Sequence, residues 1–204
     1  MKEYVTLTTE PNAWGPVSAA VKSARLANGA AQAIAIFTPQ IGGSVNRVYL
    51  ILSAETGADL DAAAAELAAL AAVVALTRQP LTPAAERNLP MLEEGPAMFT
   101  NRWFHVLSNK AGDFENDTIP VWDGFEQDTK CNVIGLWHLA PSDGVTRYLL
   151  VAKYDDLLAW SNSRFFNLAP GAKLPDWAES FARRRSYMTD TSVIATRCLG
   201  ASQA

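Results

Sequence analysis

Residues 132–154, NVIGLWHLAPSDGVTRYLLVAKY, decide the fold. Val133 to His138 and Val145 to Lys153 are rich in β-branched and aromatic residues. Pro141-Ser142-Asp143-Gly144 lies between them, with Ser and Asp suited to the centre of a type I turn and Gly to its exit. The stretch predicts a β-hairpin, and it occurs twice. Moved by one hundred residues, Gln32 to Ala54, QAIAIFTPQIGGSVNRVYLILSA, lies over it without a gap. Ile34 meets Ile134, Phe37 meets Trp137, Arg47 meets Arg147 and Leu50 meets Leu150.

Reading outward from the first copy, Glu3 to Thr9 alternates apolar and polar residues as a half-buried strand does. Trp14 to Leu26 puts Val17, Val21 and Ala24 on one helical face, and Asn28-Gly29 is a helix stop. The hairpin turns at Gly42-Gly43, Asp59 to Ala71 is helix by propensity, and Val73 to Thr77 is a last short strand. The order is βαββαβ, the ferredoxin-like plait. Residues 79–97 hold four prolines and read as a linker.

The order then begins again. Trp103 to Leu107 falls over the first strand at the same offset, with Phe104 on Tyr4, and Asp113 to Lys130 reads as one helix. After the hairpin come a helix across Asp156 to Phe165, a helix from Asp176 to Arg184 and a strand from Thr191 to Cys198. The second copy spends 36 residues between Tyr154 and Thr191 where the first spends 18 between Ala54 and Val73, which places an insertion at about 165–176. The expectation is an α+β protein of two tandem ferredoxin-like units, residues 1–78 and 98–204. Because a plait covers only one sheet face with helices, the two are expected to pack sheet to sheet as an intramolecular α+β barrel with a ligand cleft inside.

The 204 residues carry a net charge of −4, so the basic footprint of a nucleic-acid or anionic-membrane binder is missing. The longest apolar run, Leu67 to Leu76, is too short to span a bilayer. MKEYVTLTTEP has no apolar signal core, which predicts a cytoplasmic location. Cys131 and Cys198 read as reduced structural thiols, and no metal motif accompanies them. The one dense basic run, Arg183-Arg184-Arg185, reads as a solvated face at a helix C-terminus, ahead of a phosphate site.

The segment IAIFTPQIGGSVNRVYLILSAETGADLDAAA resembles the central part of the NIPSNAP family, within the dimeric α+β barrel superfamily. Phe37, Gly42-Gly43, Asn46 and Val48 to Leu52 carry the likeness; the second copy keeps Gly135 and Trp137 but has Thr146 in place of Asn. The resemblance implies an apolar cavity with a few polar groups, in a superfamily of small oxygenases of aromatic polyketides, haem-degrading enzymes and muconolactone isomerase-like proteins.

His105 and His138 are the only histidines, each able to act as a general base near neutral pH or as a haem ligand. With a two-residue turn, Arg147 lies across from His138 on one face, where the pair could orient an anionic or carbonyl oxygen; a register shift of one separates them. Trp103, Trp137 and Tyr148 in the second copy, and Phe37, Arg47 and Tyr49 in the first, are the candidate ligand-binding residues. Trp160, Phe165 and Phe166 flank the insertion as a lid. The leading expectation is a cofactor-light oxygenase or isomerase acting on a small hydrophobic or aromatic molecule, with His138, Arg147 and His105 as its polar participants and no metal. A non-catalytic small-molecule or stress-response binding protein is the alternative, and a haem binder the third. Oligomeric state stays open between a monomer satisfied by its internal pair and a homodimer joined at an edge strand.

Overall fold

Side-chain alternation makes each β-branched run bury one face. The computed structural model, which describes residues 1–87, 92–164 and 173–203, pairs these runs as antiparallel hairpins. The chain forms two compact units. The first takes in residues 1–82, 92–95 and 194–203, the second residues 83–87, 96–164 and 173–193. Among the described residues no helix is long and apolar enough to cross a membrane.

In the first unit β1 (Lys2–Thr9), β2 (Ala31–Ile41), β3 (Arg47–Ala54) and residues 73–82 of β4 (Val73–Glu86) lie in the order β4-β1-β3-β2. Residues 195–198 of β8 (Met188–Cys198) add to β2. One face carries α1 (Trp14–Ser23) and α2 (Gly57–Ala68). Thr56 starts α2 by accepting the Asp59 amide at 3.2 Å, and Asp59 sits at the positive end of the helix dipole. Val5 and Leu7 of β1, Ile36 of β2 and Val48, Leu50 and Leu52 of β3 pack there against Val17, Val21, Leu60 and Leu67, all buried. Each such side chain stabilises the fold by about 1.5–3 kcal/mol. The buried Glu3 carboxylate is gripped at both oxygens by Arg78, at 2.7 and 2.8 Å, and Arg78 also reaches Asp61 of α2 at 2.6 Å.

The second unit repeats the order as β8-β5-β7-β6, with β5 (Met98–Leu107), β6 (Cys131–His138) and β7 (Val145–Tyr154). The end of β4 lies beside β6, where the Arg87 amide donates to the Ile134 carbonyl and Trp137 Nε1 donates to Glu86. Residues 79–86 are therefore strand and not linker. Pro80 and Pro83 suit extended backbone, and Pro80 lies opposite Glu3 in the ladder. The expected helix 113–130 is two, α3 (Ala111–Asn116) and α4 (Trp122–Thr129), separated before Pro120 by Thr118, whose hydroxyl donates back to the Phe114 carbonyl. α5 (Leu157–Asn162) and α6 (Asp176–Arg183) complete the unit. Cys131 and Cys198 are buried, free thiols.

The hairpin repeat holds in register. Ile36 faces Leu50 as Leu136 faces Leu150, and both hairpins carry a bulge at the matching place, between Ala33 and Ala35 and between Val133 and Gly135. The hundred-residue offset fails in the first strand, because the connection into the hairpin differs in length. Tyr4 faces Ile51, yet Val151 is faced by Asn101, so Asn101 and not Phe104 stands in the place of Tyr4. By the same shift Arg102, opposite Leu150, takes the place of Val5, opposite Leu50. The turn after β6 is type I′, with Asp143 at φ 52° and Gly144 at φ 75°, and not type I.

Gly135 is required by what lies over it. A methyl group there meets the Trp137 ring at 2.5 Å. Gly135→Ala is expected to lower the unfolding free energy by about 1–3 kcal/mol through displacement of Trp137, measured by urea titration. Arg78→Met leaves Glu3 without its fork and is expected to cost about 2 kcal/mol near neutral pH, less than a fully buried pair because Arg78 is partly exposed.

Candidate functional site

The second unit holds a cavity of about 370 Å³ on the helix-covered side of its sheet. Alternation along β5 sends Thr100, Arg102 and Phe104 into it, and β7 adds Leu150 and Tyr154 from the same face. α4 contributes Trp122 and Phe125, α6 contributes Phe181, and β8 contributes Met188, Thr191 and Val193. Trp160 and Ser161 of α5, then Ser163 and Arg164, close one side; Arg184 and Arg185, just past α6, close another. Phe125, Trp177 and Phe181 form an edge-to-face trio with centroids 5.2–5.7 Å apart, which fixes α6 on α4.

Among the described residues four arginines and six aromatic rings line this cavity, and no Asp or Glu does. Arg184 is buried and stacked, its guanidinium 3.9 Å from the Phe181 centroid and 4.9 Å from that of Phe104, donating to Thr118 Oγ1 at 3.2 Å. Arg102 lies over Phe104 at 5.8 Å. Arg164 donates to Ser163 Oγ at 2.6 Å and to Tyr154 Oη at 3.3 Å, and lies over Trp160 at 5.2 Å. Burial pushes the Arg184 guanidinium down to about 9, helped by repulsion from Arg102 and Arg164. Burial pushes Arg102 down to about 10, with repulsion from Arg164. Both remain cations at neutral pH. Burial moves the neighbouring groups the other way: it raises the Tyr154 phenol and takes the Cys131 thiol up to about 12.

None of the residues chosen from sequence as catalytic or ligand-binding lines this cavity. His138 faces Tyr148, one position away from the pairing that puts it across from Arg147, so the two point to opposite sides of the sheet. On the helix side the His138 and Tyr148 rings lie 5.7 Å apart and Tyr148 donates to Glu115 at 2.7 Å. Arg147 instead faces His105 and lies 4.8 Å over Trp103, on the side away from the helices, where Trp137 also sits. His105 stands in the place of Thr8, not of Val5. In the first unit Phe37 faces Tyr49, both buried and away from the helices, with Tyr49 stacked on Tyr4 at 5.9 Å; Arg47 is exposed at the start of β3. Trp160 does reach the cavity, while Phe165 and Phe166 lie outside the described residues.

The missed residues had a signal. Trp177, Phe181 and Arg184 are spaced four and three apart, one helical face, so the middle arginine of the triplet turns inward with the aromatics. Arg183 behaves as the run predicts, exposed and paired with Asp117 at 2.7 Å. That pair, with Tyr187 Oη donating to Asp117 at 3.0 Å, ties the Arg184 turn to the end of α3. The Arg183 hydrogen bond, followed by that of Tyr187, holds the Asp117 carboxyl below its ordinary value. A depressed carboxyl stabilises the fold above its unfolded pKa and ceases to do so as pH falls through the folded one. Asp117→Asn is therefore expected to cost about 1 kcal/mol near pH 7, a difference that closes below about pH 4, read from urea unfolding of both proteins across that range.

No family model matches the chain, and no curated protein matches it. Solved structures do. A candidate monooxygenase from Lactobacillus acidophilus superposes with a TM-score of 0.64 at 10% identity, covering 99% of this chain and 95% of that one. An anthrone oxidase-like protein gives 0.64 at 10% identity over 98% and 91%. A chlorite dismutase variant from Candidatus Nitrospira defluvii gives 0.53 at 10% identity over 100% and 90%. At such identities the likeness is one of fold alone, an α+β fold of ferredoxin-like units.

Proposed function

We propose that the protein acts on a small, ring-containing apolar molecule held in the cavity of its second unit, as a cofactor-light oxygenase. The cavity carries this reading: about 370 Å³ walled by Phe104, Trp122, Phe125, Tyr154, Trp160 and Phe181 is the size and chemistry of a small-molecule site. The names of two similar structures, a candidate monooxygenase and an anthrone oxidase-like protein, support the reaction type. An anthrone-type CH2 going to C=O keeps one oxygen atom of O2 and releases the other as water. All four electrons come from the substrate, so the step needs no other donor. The NIPSNAP-like hairpin and an isomerase role stand beside this reading as finer assignments within the same fold.

A binding protein without turnover is the second reading. One observation favours it: among the described residues the cavity wall offers neither a histidine nor a carboxylate for proton transfer near neutral pH. Haem does not fit this cavity by histidine ligation, because neither His105 nor His138 lines it.

The two readings separate on an oxygen electrode. Anthrone is expected to quench tryptophan fluorescence and to drive oxygen uptake above the protein-free rate, with both effects weakened about tenfold by Phe181→Ala. Quenching without uptake selects the binding protein, and neither effect removes both readings.

A further inference from the structure

We propose that the cavity of the second unit selects an organic oxyanion, a compact ring system bearing a carboxylate that Arg102, Arg164 and Arg184 receive from inside the wall. This rests on the small-molecule reading above and narrows it to one charge class.

The internal duplication supplies the control. The position of Arg102, opposite Leu150, is held in the first unit by Val5, opposite Leu50, and there it belongs to a closed aliphatic core. The fold therefore does not require a cation at that position, and the second copy has put one under its helices. Arg184 adds a second, buried among Phe181, Phe104 and Phe114, and Arg164 a third, oriented by Ser163 and Tyr154.

No carboxylate among the described residues lies within ion-pair distance of these three, and residues 165–172, FFNLAPGA, contain none. Taking guanidinium groups out of water and near one another is unfavourable unless an anion joins them. The lowered proton affinity of Arg184 and Arg102 has that same origin, burial followed by mutual repulsion. A bound carboxylate relieves both terms, because its two oxygens match the guanidinium fork, while the aromatic walls take the ring. A carboxylate suits this wall better than a phosphate, which brings a second charge to a lining made mostly of rings and aliphatic groups.

The test is isothermal titration calorimetry of the intact protein near pH 7 with three ligands of one shape: 2-naphthoate, 2-naphthyl phosphate and the neutral 2-naphthalenemethanol. Naphthoate is expected to bind at least about tenfold more tightly than the alcohol. Arg102→Gln is expected to remove most of that preference while leaving the alcohol's affinity within about twofold, and Arg197→Gln, in the first unit, to change neither. If Arg102→Gln fails to fold, Arg164→Gln takes its place. Equal affinity for naphthoate and alcohol overturns the charge assignment and leaves the cavity reading standing, as does a preference that survives loss of these arginines. A preference for the phosphate overturns the choice of carboxylate. Binding of none of the three overturns the charge assignment together with the cavity as a small-molecule site.

Discussion

Everything in this molecule depends on which face of a sheet a residue occupies, and that is settled by antiparallel pairing with a period of two. A single extra residue in one strand exchanges the faces beyond it. Both hairpins spend one such residue at the same place, after Ala33 and after Val133. Beyond it Ile36 and Leu136 point to the helices while Phe37 and Trp137 point away, and Gly135 leaves room for the Trp137 ring. The pairing of His138 with Tyr148 follows from the same arithmetic, and it carries Arg147 to the opposite side of the sheet from His138.

The two units show what one strand order can carry. In the first, the helix-covered face is filled by Val, Leu, Ile and Ala, and the buried Glu3 is gripped by Arg78, which balances its charge locally. In the second, the same face holds rings and guanidinium groups around a cavity, with the carboxylates placed outside that wall: Asp117 on Arg183, Asp128 on Trp177, and Glu126 and Asp123 on Arg87. A charge kept apart from its counter-charges in a low-dielectric site is poised to interact strongly with an incoming anion. Such an arrangement is costly for stability unless an anion joins it.

Much of the architecture was legible because hairpins advertise themselves. Asp143-Gly144 and Gly42 supply positive φ, the β-branched runs fix strand identity, and an ungapped repeat implies a repeated unit. Proline misled at residues 79–86, since Pro80 and Pro83 serve an extended strand as well as a loop. The site was less legible. Histidines attract attention for their pKa, yet both lie off the cavity, whereas arginines at 102, 164 and 184 are ordinary residues until their surroundings are known.

The sequence by itself determined the α+β class, the two βαββαβ copies and the matching hairpins, because these rest on local alternation, turn chemistry and periodicity. Only the tertiary structure decided the three-residue slip of the first strand that puts Arg102 where Val5 belongs, the inward turn of Arg184, and the meeting of both with Arg164 in one aromatic cavity. Register between strands distant in the chain, and the placing of buried cations apart from the described carboxylates, are properties of packing that no local stretch of residues encodes.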